Sequence, residues 1–122
     1  MIRSQFNSMF GYFNDKISNC NEQYKKFQLE GRFDEGNFEK IKVNVYGIFN
    51  TMLTLAINTA KEENEVYAFY MKKLDEIPLN WEASYKKAVE YNDEEKIHIE
   101  NIKLGVVKEI SNAFEKTWEE VK

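Results

Sequence analysis

Apolar side chains recur every three or four positions along the whole chain, which is the period of an amphipathic helix. Phe6, Met9, Phe13, Ile17, Cys20, Tyr24 and Phe27 form one such stripe, about 20 residues long. Gly31 follows where a glycine commonly ends a helix. Asp34 then offers an N-cap, with Glu35 in the first turn to oppose the positive helix end. A second helix carries Phe38, Ile41, Val45, Ile48, Met52 and Leu55, and beside that stripe runs another: Tyr46, Phe49, Leu53, Ile57 and Ala60.

Two readings of the next stretch stay open. Thr59-Ala60-Lys61-Glu62 has capping-box spacing and favours a new helix start. Against it, Ala56, Ala60, Tyr67, Tyr70, Leu74 and Ile77 continue the period with no intervening Gly or Pro, so residues 35–77 are one helix or two. Unbroken, that helix would reach about 60 Å, too long for its neighbours. Pro78 ends or kinks whatever precedes it, and Asn80 is placed to cap a short helix bearing Trp81, Tyr85, Ala88 and Val89. Tyr91-Asn92-Asp93 reads as a turn with Asp93 as N-cap. The last helix shows Ile99, Ile102, Val106, Ile110, Ala113, Trp118 and Val121 on one broad face. The expected fold is all-α: one domain, residues 1–122, forming an antiparallel up-and-down bundle of four or five helices, the third kinked at Pro78.

A hairpin turning near residue 33 would set Cys20 opposite residues 46–47 and Gly11 opposite Leu55. Phe10-Gly11-Tyr12-Phe13-Asn14 echoes Tyr46-Gly47-Ile48-Phe49-Asn50. A helical glycine costs about 1 kcal/mol relative to Ala, so Gly11 and Gly47 are expected to act as notches where the two axes approach closely.

Composition narrows the chemistry. With 122 residues and 43% hydrophobic side chains the chain can bury one core, so disorder is excluded despite 31% charged residues. A single cysteine excludes a disulfide framework and Cys-based metal fingers, and a single histidine excludes any site needing two. The net charge of −4 argues against nucleic acid as a partner, which requires a cationic face. Polar Asn7, Ser8, Asn14 and Asp15 interrupt any signal-peptide-like run. A lone Cys20 suits a reducing compartment, so the expected location is cytoplasmic, without a membrane partner.

Glu95-Lys96-Ile97-His98 places a carboxylate and an imidazole on one helix face, the Glu-x-x-His spacing used in ferritin-like di-iron bundles. Only Glu22, Glu30, Glu62, Glu63 and Glu65 could complete such a site from other helices. The second Glu-x-x-His is missing, so Glu95 and His98 are weak metal candidates and no cofactor is expected. Cys20 lies in an apolar stripe, where a thiol behaves as a small hydrophobe. No catalytic constellation emerges. Lysine pairs follow Tyr24, Tyr70 and Tyr85, a pattern explained by lysine stems lying over aromatic edges.

One feature stands apart. Val43 to Ala60 is a run of 18 residues without a charge, whereas a bundle helix ordinarily carries charges on its outer face. Its polar residues, Asn44, Asn50, Thr51, Thr54, Asn58 and Thr59, are too many for a membrane span. Either the helix is central in the monomer or its second face meets another copy, and in a bundle of 122 residues no helix can be fully surrounded. The chain is therefore expected to be a non-enzymatic homo-oligomer, a homodimer in the first instance, acting through protein contacts as a regulator, adaptor or immunity-type protein. Tyr46, Gly47, Phe49, Leu53 and Ile57 are the interface candidates. A small-molecule-binding bundle with an aromatic-lined apolar pocket is the alternative.

Overall fold

The computed structural model describes residues 2–122, and among them every regular element is a helix: α1 (Ile2–Gln5), α2 (Asn7–Leu29), α3 (Phe33–Thr59), α4 (Glu63–Glu76), α5 (Leu79–Glu90) and α6 (Glu94–Val121). The stripe read along the first helix is the face that packs. Phe6, Met9, Phe13 and Cys20 are buried, and Ile17 joins the core at its edge.

The turns close with identifiable chemistry. After α2, Gly31 takes a left-handed conformation (φ 71°), Arg32 N donates to Phe27 O at 2.8 Å, and Gly31 N donates to Gln28 O at 3.2 Å. This is a Schellman closure, and it needs a residue that tolerates positive φ. The same closure ends α5, with Asn92 (φ 55°) in the glycine's place and Asp93 N bonded to Ala88 O at 2.9 Å. Asp93 then caps α6, its carboxylate accepting from Lys96 N at 3.2 Å.

Several expected boundaries are corrected. Asp34 is not the cap of α3, because the helix already begins at Phe33, with Arg32 in the capping position and Asp34 in the first turn. Asn80 lies inside α5, which starts directly after Pro78. The chain does break between α3 and α4, yet Thr59 does not cap the new helix. Its hydroxyl donates backwards to Leu55 O at 2.9 Å and Ala56 O at 3.3 Å, satisfying the end of α3. At Ile77–Pro78 both residues keep right-handed helical dihedrals while the regular ladder is interrupted, so α4 and α5 are separate helices.

Cross-helix contacts give the relative directions. Met9 meets Thr117 and Tyr12 meets Glu109, so α2 and α6 run oppositely. Tyr67 stacks on Trp118 (centroids 4.6 Å) and Tyr70 packs at a tilt against Phe114 (4.4 Å), so α4 and α6 also run oppositely. Phe38 meets His98 and Tyr46 meets Glu109, so α3 and α6 are parallel. Helix α3 touches α2, α4 and α6, while α5 packs on α6. Tyr70 is fully buried and donates from its hydroxyl to Phe49 O at 3.0 Å. An internal phenol without that acceptor would lose on the order of 1–3 kcal/mol.

The glycine notches are overturned, and the expected hairpin register holds only near the turn, where Lys40 sits over Tyr24 and Gly36 meets Phe27 and Gln28. Tyr12 stands against Tyr46, centroids 6.2 Å apart, and not beside residue 54. The Schellman closure turns the chain at Gly31 and starts α3 two residues later, which moves the pairing in that direction. A Cβ built at Gly11 or Gly47 meets nothing within 4 Å. Gly36 makes the close approach: it is buried, and a Cβ there would lie 3.3 Å from Gln28 Nε2 and 3.6 Å from Phe27 Cβ.

Candidate functional site

The charge-free run of α3 faces two ways. Tyr46, Phe49, Leu53 and Ile57 are buried within the chain's own core, packed against α2, α4 and α6. Four of the five interface candidates are thus occupied internally, and only Gly47 stays half exposed. The surface left for a partner is the other face: Asn44, Ile48, Thr51, Leu55 and Asn58 are all exposed. Ile48 and Leu55 keep 37% and 43% of their surface in solvent, large values for aliphatic side chains in mid-helix. These positions follow one another at intervals of four, three, four and three, a single seam along the helix.

Exposure of Ile48 and Leu55 follows from the crowding of α3. The helix carries two apolar stripes, and its three neighbours engage the stripe bearing Tyr46, Phe49 and Leu53. The first exposed charges beyond the seam are Lys40 and Lys61-Glu62. Lys40 sits 5.0 Å over the Tyr24 ring, which leans its stem towards α2. Gly47, beside Ile48, leaves a shallow hollow, since no atom occupies the space where a side chain would stand.

Glu95 and His98 are both exposed on the first turns of α6. His98 packs edge-on against Phe38, centroids 4.5 Å apart. Glu22, Glu30, Glu62 and Glu65 are exposed and Glu63 half-buried; Glu30 pairs with Arg32 at 3.5 Å, and Glu65 accepts from Lys61 N at 3.2 Å. Among the described residues no group of three or more His, Cys, Asp and Glu side chains is arranged to hold a metal ion. A groove of about 540 Å³ runs between the starts of α3 and α6, lined by Asp34, Asn37, Phe38, Ile41, Glu95 and Ile99. On α6 beside it, buried Glu100 pairs through Oε1 with Lys103 Nζ at 3.0 Å, and Lys103 in turn lies 5.5 Å over the Trp81 ring. Other aromatic rings pack on one another in the core, as in the cluster of Phe6, Tyr67, Tyr70, Phe114 and Trp118, where Phe114 stacks with Phe6 and Tyr67 and meets Tyr70 at a tilt.

A polar network absent from the sequence reading ties α2, α3 and α6 together. Glu109 Oε1 accepts from Tyr12 Oη at 2.9 Å and Tyr46 Oη at 3.2 Å, and pairs with Lys16 Nζ at 2.9 Å. Burial pushes the Glu109 carboxyl up, but the Lys16 and Tyr12 bonds, the Lys16 charge and the Tyr46 bond outweigh it and hold the group below its ordinary value. Burial, then the Glu109 carboxylate, raises both phenols. Burial first, then the Glu39 charge, raises the Cys20 thiol and disfavours the thiolate. The signal of this network in the sequence is a carboxylate flanked by Val106, Val107 and Ile110, which calls for donors from facing helices.

No helix among the described residues is long and apolar enough to cross a membrane. No protein-family model, curated protein or solved structure matches the chain.

Proposed function

We propose that this protein is a non-enzymatic helical protein that works through protein–protein contact, with a second copy of itself on the exposed face of α3. In this reading the helices make an up-and-down bundle of four arms, with α4 and α5 forming one arm bent at Pro78. The lone buried Cys20 fits a reducing compartment, and the protein is assigned to the cytoplasm on that ground.

One observation carries the reading. Five consecutive outward positions of α3, from Asn44 to Asn58, hold no charge and include two exposed aliphatics, although the rest of the surface is densely charged. Charges on an outward face cost little and keep copies apart, so their absence over four turns marks a surface that is covered. The uncharged polar residues suit an interface that also tolerates water. Size-exclusion chromatography with light scattering on Ile48→Lys/Leu55→Lys tests this directly. The double variant should be monomeric with an unchanged far-ultraviolet helix spectrum, while the native chain is dimeric. A native chain that is monomeric at high micromolar concentration would overturn the reading.

A further inference from the structure

We infer that the first three turns of α6 hold a binding site for a small organic cation, a primary amine with an apolar body, whose ammonium group is taken by the Glu100 carboxylate. Glu100 begins the core-facing row that Val107, Phe114 and Trp118 continue. At 3% exposure it is the one buried charged side chain among the described residues. A buried carboxylate calls for donors to both of its oxygens. Glu100 Oε1 has one, Lys103 Nζ at 3.0 Å. Glu100 Oε2 has no hydrogen-bond partner among the described residues. Lys103 is already engaged, since its ammonium also lies 5.5 Å over the Trp81 ring.

A hollow of about 360 Å³ lies over these turns, lined by Asp93, Glu95, Lys96, Ile99, Glu100 and Lys103. It shares Glu95 and Ile99 with the groove of about 540 Å³ that Phe38 and Ile41 line, so an apolar surface adjoins the polar end. Charge selects the ligand. Carboxylates outnumber ammonium groups three to two in the hollow, and Asp34 adds a fourth on the groove. A cation is attracted there and an anion repelled. Glu100 offers a single unpaired oxygen, which suits a compact ammonium better than the two-pronged guanidinium. Lys103 lines the same hollow on a flexible stem and is half-buried, so a turn of that side chain opens Oε2 to the ligand. Phe38, Ile41 and Ile99 receive the apolar body. None of these residues belongs to the α3 seam from Asn44 to Asn58, so the site stands apart from the contact between copies.

Isothermal titration of the native chain with phenethylamine at neutral pH tests the site, with phenethyl alcohol and phenylpropanoate as its neutral and anionic counterparts. The amine should bind saturably, one molecule per chain, and both counterparts roughly tenfold more weakly or not at all. Glu100→Gln keeps the shape and removes the charge, and it should weaken the amine by roughly tenfold or more. Glu95→Gln alters only an exposed side chain and should weaken the amine several-fold, which decides the matter if the helix spectrum shows Glu100→Gln to be unfolded. Absence of saturable amine binding by the native chain would overturn the inference. Equal binding of the alcohol would do the same, since it would mark a merely apolar hollow. Undiminished amine binding by folded Glu100→Gln, or by Glu95→Gln where the former is unfolded, would place the ammonium elsewhere and overturn it too.

Discussion

Two glycines of α3 have opposite surroundings, and substitutions at them should move stability in opposite directions. Gly47 has ordinary helical dihedrals and open space around its missing side chain. Gly47→Ala should therefore stabilise the fold by about 0.5–1 kcal/mol through helix propensity alone. At Gly36, a longer side chain would run into Phe27 and Tyr24, so Gly36→Leu should cost roughly 1–3 kcal/mol. Urea unfolding at one fixed protein concentration compares them, and equal effects would refute the assignment of close approach to Gly36. Glu109 sets the acid limit. Its folded carboxyl lies below the ordinary 4.5, so the stabilisation is full above that pH and is lost as pH falls through the lower folded value. Glu109→Gln should flatten the acid limb of the pH–stability curve, and an unchanged limb would show that the three donors contribute nothing net. The buried phenols act in the reverse sense. Tyr12, Tyr46 and Tyr70 are all raised, first by burial, so their contribution holds below pH 10.0 and drains away above it.

The helices themselves were largely legible from periodicity, because each buries one stripe and the period survives whatever it packs against. Their ends were less so. Gly31 and Asp93 announce themselves, since left-handed closure and side-chain capping demand particular residue types. Thr59 misleads, because a threonine at a helix end can equally donate back to the preceding turn, and here the Leu55 carbonyl wins. Asp93→Ala removes the one side-chain cap of α6 and should cost about 1 kcal/mol. Thermal unfolding followed by circular dichroism would register it as a lowered Tm, and an unmoved Tm would mean that the Schellman closure at Asn92 alone fixes the turn. Away from the turn, the hairpin register was out of reach for a related reason. It depends in part on where α3 begins relative to Gly31, and a two-residue change there carries every later pair with it.

For the molecule as a whole, the uncharged run from Val43 to Ala60 was visible in the sequence, but its facing was not. With two apolar stripes on α3, hydrophobicity alone could not say which one α2, α4 and α6 would cover. The structure puts Tyr46, Phe49, Leu53 and Ile57 inside and turns Ile48 and Leu55 out. The Tyr12–Tyr46–Glu109 network shows the same limit, because its members lie up to 97 residues apart and only the packed helices bring them together. Cys20 offers a check on that packing: it should resist thiol reagents in the folded chain and react fully in denaturant. Rapid labelling of the native protein would mean that α2 and α3 do not close over it.

Sedimentation equilibrium of the native chain over a range of concentrations and salt tests the account at its centre. A seam without charges should give a mass approaching twice 14.5 kDa. That mass should change little between low and physiological ionic strength, since apolar and amide contacts are weakly screened. A mass of 14.5 kDa at every concentration would contradict the account, as would a dimer that falls apart when salt is raised.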